Sequence, residues 1–85
     1  MDFSGKTFLV SGSSSGIGKR SAELLLDNGA NVVGMDVIQS SITSEKYKHF
    51  IIDIRDEQKI IITLNEIEEL YKKIDGLANC AGVYA

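Results

Sequence analysis

The 85-residue chain has no proline, no tryptophan, one cysteine and one histidine. A lone cysteine, Cys80, excludes an internal disulfide, and with a single histidine there is no ligand cluster of the kind that holds zinc. No apolar run approaches the roughly 20 residues that span a bilayer. The start, Met1-Asp2-Phe3-Ser4-Gly5-Lys6, lacks the basic-then-apolar pattern of a secretory signal, so a cytoplasmic location is expected. Nine basic residues against 12 acidic give a net charge of −3 with no Lys/Arg cluster. The basic stripe that supplies affinity for nucleic acid is therefore missing.

What is present is an ordinary globular composition, 44% hydrophobic and 25% charged, with enough apolar surface to offset chain ordering. The length suits one small domain or part of a larger one. A domain this short buries only about 60–65% of its unfolded surface and is marginal without staples. No staple is visible.

Lys6 to Ser11 is an apolar run entering Ser11-Gly12-Ser13-Ser14-Ser15-Gly16, as in a strand buried on both faces that leads into a turn. From Ile17 the period becomes helical (Ile17, Ala22, Leu25, with Leu24 and Leu26), and Asn28-Gly29 stops it. Asn31 to Asp36 predicts a second strand, and residues 37–46 predict a loop holding at most a short helix. Tyr47 to Ile52 predicts a third strand, closing on Asp53. Asp56 is a plausible N-cap for a helix in which Ile60, Leu64, Ile67, Tyr71 and Ile74 recur, with Asp75-Gly76 as its stop. Leu77-Ala78-Asn79 predicts a fourth strand. Alternating buried strands and amphipathic helices imply an α/β architecture with a parallel sheet and right-handed crossovers.

Gly12-(three residues)-Gly16-Ile17-Gly18 between a strand and a helix has a chemical use. The first turn of a helix leaves amide donors unpaired and carries the positive end of the dipole, so it attracts a diphosphate. Glycines let the backbone approach the phosphates, and Ser13, Ser14 and Ser15 are expected to add hydroxyl donors. Asp36, at the end of the second predicted strand, is placed to accept the ribose hydroxyls of an adenosine. The same carboxylate repels the extra phosphate of NADP, and neither Ser15 nor Val37 supplies a cation to hold it. Lys19 and Arg20, just inside the helix, are less direct sources. NAD is favoured over NADP. The competing interpretations are a plain strand-to-helix turn and a strand-end turn acid.

Gly12 through Gly18, Asp36, Asp53-Ile54 and Asn79-Cys80-Ala81-Gly82, with the opening Phe3-Ser4-Gly5-Lys6-Thr7, together resemble the short-chain dehydrogenase/reductase family, classical type. The resemblance runs from about Phe3 to Val83 and implies a partial Rossmann fold, a doubly wound parallel sheet with strand order 3-2-1-4 and two main helices. Residues 1–85 would be the N-terminal part of a single NAD(P)-binding domain. Gly12, Gly16, Ile17 and Gly18 would cradle the phosphates, and Asp36 would hold the adenine ribose. Asp53 and the Ile54 amide would meet the adenine edge, an acceptor and a donor matching the base's own pattern. Asn79 would tie the fourth strand to its neighbours, and Ala81 and Gly82 would let the second ribose approach. Where the family usually has two asparagines, the second is Cys80, expected to be a buried thiol and not a nucleophile. His49 is expected to be a strand histidine without a partner and without a catalytic part.

The resemblance also implies hydride transfer between a nicotinamide cofactor and a small alcohol or carbonyl substrate, usually in a homo-oligomer. Its chemistry uses a serine and Tyr-(three residues)-Lys. Here Tyr47 is followed at that spacing by Ile51, Tyr71 by Asp75, and Tyr84 by nothing. The expectation is a cofactor-binding portion without catalytic residues, unstable by itself because its fourth strand is an open edge. A non-catalytic dinucleotide-binding module and an inactive remnant are the alternatives. The first six residues are similar to the start of dihydrodiol dehydrogenases of the 2,3-dihydro-2,3-dihydroxybenzoate type; other alcohols, sugars and acyl-carrier substrates stay open beside it.

Overall fold

Phe8-Leu9-Val10 offers water no polar side chain, and with Thr7 and Ser11, both buried, it forms a strand covered on both faces. The computed structural model describes residues 2–14, 16–53 and 55–79. Its elements are β1 (Thr7–Ser11), α1 (Gly16–Asp27), β2 (Asn31–Asp36), β3 (Tyr47–Ile51), α2 (Glu57–Tyr71) and β4 (Gly76–Asn79). All the strands pair in parallel in the order β3-β2-β1-β4. Residues 37–46 hold no helix. No described helix is long and apolar enough to cross a membrane.

Alternation along the strands divides the core in two. Val10 and Val32 bury one face with Ala22 and Ala30, with Leu25 and Leu26 packed against them. Leu9, Val33 and Met35 bury the other with Ile52 and Ile67, and there Ile60, Leu64 and Tyr71 pack in. So α1 and α2 lie on opposite faces, and the winding reverses between β1 and β4. In open α/β sheets the crevice beyond the strand carboxyl ends at such a reversal receives ligands.

The ends of α1 follow local chemistry. Gly29 takes φ 91°, where a side chain would be strained. The Gly29 amide donates to Leu26 O at 3.0 Å and the Ala30 amide to Leu25 O at 3.1 Å, the paired closure of a Schellman stop. At the start of α2, the Asp56 carboxylate accepts from the Lys59 amide at 3.2 Å, as an N-cap does.

The end of α2 differs from the sequence expectation. The helix stops at Tyr71, not beyond Ile74. Lys72 takes the left-handed conformation, φ 67°, and its amide closes the last turn on Glu68 O at 2.8 Å. Ile74 thus falls in the connector to β4. Gly76 does not stop the helix but opens β4, where a Cβ would stand 2.6 Å from Phe8 Cδ1. A lysine in left-handed backbone costs about 1 kcal/mol. Lys72→Gly is therefore expected to raise stability by about 0.5–1 kcal/mol, read as a higher urea midpoint at unchanged m.

The connector is tied to β1 by Asp75. Its amide donates to Thr7 O at 2.7 Å, and its carboxylate accepts from the Thr7 amide at 2.9 Å, with Lys73 Nζ at 3.2 Å. The hydrogen bond from Thr7, then Lys73, holds the Asp75 carboxyl below the ordinary aspartate value. A folded-state pKa below the unfolded one stabilises the protein above the unfolded value, about 3.9, and that contribution is lost as pH falls through the folded value. Asp75→Asn is expected to flatten the acid limb of the stability–pH curve below about pH 4, measured by urea midpoints across pH.

Candidate functional site

The carboxyl ends of β1 and β2 bring the glycine loop and Asp36 together. The Gly12 amide donates to Met35 O at 2.8 Å, carrying the β1–β2 ladder one residue into the loop. Gly12 and Gly16 have φ 72° and 57°, the left-handed backbone that lets the chain turn from strand to helix. Gly18 is buried in the first turn of α1, and a Cβ there would collide with the Gly12 carbonyl, with Ser13 N 3.2 Å away. The loop is thus folded back onto its own helix, whose first amides have no partner within the helix. Ile17 is exposed beside them.

Asp36 is fixed from two sides. One carboxylate oxygen, Oδ2, accepts from the Ser14 amide at 3.0 Å, and Oδ1 accepts from the Ile38 amide at 3.1 Å. Each oxygen keeps a further acceptor position. Among the described residues no lysine or arginine pairs with Asp36, and the next two positions, Val37 and Ile38, are apolar and exposed.

The described serines of the loop have partners within the protein. Ser14 Oγ donates to Ile38 O at 2.8 Å, so both the amide and the hydroxyl proton of Ser14 are spent on protein acceptors. Ser14 thus ties the loop to Asp36 and to the Ile38 carbonyl. Ser13 is fully buried with its Oγ 2.9 Å from Tyr47 Oη. Ser15 lies outside the described residues.

Asp53 follows β3, as expected, but its carboxylate already holds Arg55. The guanidinium donates Nη2 to Oδ2 at 2.7 Å and Nε to both oxygens, and the Arg55 amide donates to Oδ1 at 2.9 Å. The side-chain and then the backbone hydrogen bonds from Arg55 lower the Asp53 pKa to about 2. The arginine itself is 88% exposed, so the pair faces solvent, where an ion pair contributes little. Asn79 ends β4 in register with Ser11. Ile54, Cys80, Ala81 and Gly82 lie outside the described residues.

His49, read from sequence as lacking a partner, has one on each ring nitrogen: Nδ1 stands 2.8 Å from Tyr47 Oη and Nε2 2.9 Å from Ile38 O. Sequence reasoning also passed over Gly34. A Cβ at Gly34 would collide with both Tyr47 Oη and Ser13 Oγ, so this glycine clears the path by which the loop reaches β3. The signal was present in Tyr47 and His49, two apart on one strand and hence on one face.

A parallel sheet wound on both faces, with a glycine turn and helix start beside an acid at the end of β2, defines a Rossmann-type nucleotide-binding fold. Residues 6–85 match the short chain dehydrogenase family, and the chain belongs to that family. Over 84 residues it is 38% identical to the NAD-dependent glycerol dehydrogenase of Listeria innocua serovar 6a, an alignment covering 92% of this chain and 33% of that protein. Over 89 residues it is 36% identical to the 3-oxoacyl-(acyl-carrier-protein) reductase FabG of Vibrio harveyi, covering 98% of this chain and 36% of that one. A short chain dehydrogenase from Leptospira borgpetersenii serovar Hardjo-bovis, solved with bound NAD+, superposes with a TM-score of 0.84 at 29% identity over 92% of this chain and 32% of that one. The chain spans about a third of the length of these relatives.

Proposed function

We propose that these residues form the NAD site of an oxidoreductase that moves hydride between the nicotinamide and an alcohol or carbonyl substrate. The observation that carries the choice of NAD is Asp36, locked by the Ser14 and Ile38 amides with one acceptor position free on each oxygen. A pair of ribose hydroxyls satisfies those positions, whereas a 2′-phosphate brings charge against charge. The loop from Gly12 to Gly18 fits a diphosphate, since its glycine backbone admits close approach and the α1 amides face it without intrahelical partners. Bound there, the dinucleotide supplies the hydride chemistry.

Asn79 would tie β4 to its neighbours, Ala81 and Gly82 would let the second ribose approach, and Asp53 with Ile54 would meet the adenine edge. Tyr47 is not the proton-moving tyrosine in this reading, because its hydroxyl is held between Ser13 and His49. That step falls to groups outside these 85 residues. Two of the relatives named above carry names for glycerol and for acyl-carrier substrates, so a shared cofactor portion leaves the substrate open among alcohols and carbonyls. Calorimetric titration of the full-length protein is expected to show NAD binding at least tenfold tighter than NADP. Equal affinities, or tighter NADP, would overturn the choice of cofactor.

A further inference from the structure

We propose that Tyr47 and His49 are positioning residues for the adenosine end of the cofactor, acting through Ser13 and Ile38; this rests on the dinucleotide reading above. The contacts form one continuous chain, from Ser13 Oγ to Tyr47 Oη at 2.9 Å, to His49 Nδ1 at 2.8 Å, and from Nε2 to Ile38 O at 2.9 Å. Its direction is set by its last member. A carbonyl oxygen only accepts, so His49 Nε2 carries the hydrogen. In the neutral ring Nδ1 is then an acceptor, Tyr47 donates to it, and Ser13 donates to Tyr47. Every donor in the chain has an acceptor, and no buried side-chain polar atom among the described residues lacks a partner.

The chain holds both halves of the adenosine corner. At one end it anchors Ser13, inside the glycine loop. At the other it anchors Ile38, whose carbonyl also accepts from Ser14 Oγ and whose amide, in the preceding peptide, holds Asp36 Oδ1. His49 therefore holds the carbonyl side of the same residue whose amide holds the carboxylate. The Tyr47 and His49 rings stack with centroids 5.9 Å apart, which keeps the two polar atoms in line. Gly34, directly across from His49 in the β2–β3 register, leaves room for the Ser13–Tyr47 link.

The test is calorimetry on the full-length protein, with NAD and AMP as the probes. Tyr47→Phe and His49→Leu are each expected to raise the Kd of both probes by the same factor, about tenfold, the change that one net charge-neutral hydrogen bond or two produces. His49→Gln, which keeps an N–H donor and an acceptor, is expected to recover to within about threefold. In wild type, the imidazole ¹⁵N spectrum is expected to show His49 protonated on Nε2 with Nδ1 bare; this reading needs no variant to fold. Wild-type-like binding by both Tyr47→Phe and His49→Leu overturns the proposal. So does a loss confined to NAD with AMP unchanged, no recovery by the glutamine, or a proton on Nδ1 in place of Nε2. If wild type binds neither probe, the dinucleotide reading itself fails, a result distinct from all of these.

Discussion

Gly18→Ala is expected to weaken NAD binding about a hundredfold and to destabilise the protein by about 2–4 kcal/mol. The reason is backbone against backbone. The added Cβ would collide with the Gly12 carbonyl and would lie 3.2 Å from the Ser13 amide, and neither group has a rotamer to yield with. Either the first turn of α1 moves off the loop or the loop moves off β1. Both movements displace the amides proposed to hold the diphosphate, and a displacement of about 1 Å at a binding group is enough for a loss of this size. Arg20→Ala, on the same helix but exposed, serves as the comparison and is expected to change stability by no more than about 0.5 kcal/mol. Urea unfolding and calorimetry read the two effects separately.

Asp36→Ala is expected to raise the Kd for NAD about a hundredfold while bringing NAD and NADP to within about threefold of one another. Two hydrogen bonds from ribose hydroxyls to a carboxylate, at about 1.5 kcal/mol each, come to about 3 kcal/mol, a little more than the roughly 2.7 kcal/mol of a hundredfold change. The second half of the prediction separates recognition from damage. Removing the charge removes the repulsion against a 2′-phosphate, so NADP loses less than NAD. A general loosening of the loop, with the Ser14 and Ile38 amides left to water, would weaken both cofactors equally. The ratio of the two affinities, measured on one preparation, decides between these.

The elements were legible in the sequence because their signals are local. The apolar run at Thr7–Ser11, the change of period after the glycines and the stop at Gly29 are each contained in a few consecutive residues. So is Asp56 at the head of α2. The strand order 3-2-1-4 and the family came from the resemblance that the glycine loop, Asp36 and the Asn79 region carry, and the structure and the family match agree with both. What stayed hidden depends on residues far apart in the chain. Ser13 meets Tyr47 across β2 only because Gly34 has no side chain there, a relation no periodicity encodes. Gly76 read as a helix stop for the same reason: the ring it must clear belongs to Phe8, on another strand. The early end of α2 was masked by a lysine in a conformation that ordinarily favours glycine. The commitment of Ser14 to Ile38 and Asp36 could not be told from a serine open to ligand, since the composition of the loop is the same in either case.

The most direct test of the central claim is a crystal structure of the full-length protein with NAD. The adenine ribose hydroxyls are expected within about 2.6–3.2 Å of the Asp36 carboxylate, and the diphosphate against the amides between Gly12 and Gly18. A dinucleotide bound elsewhere, or one whose ribose leaves Asp36 facing water, would contradict it.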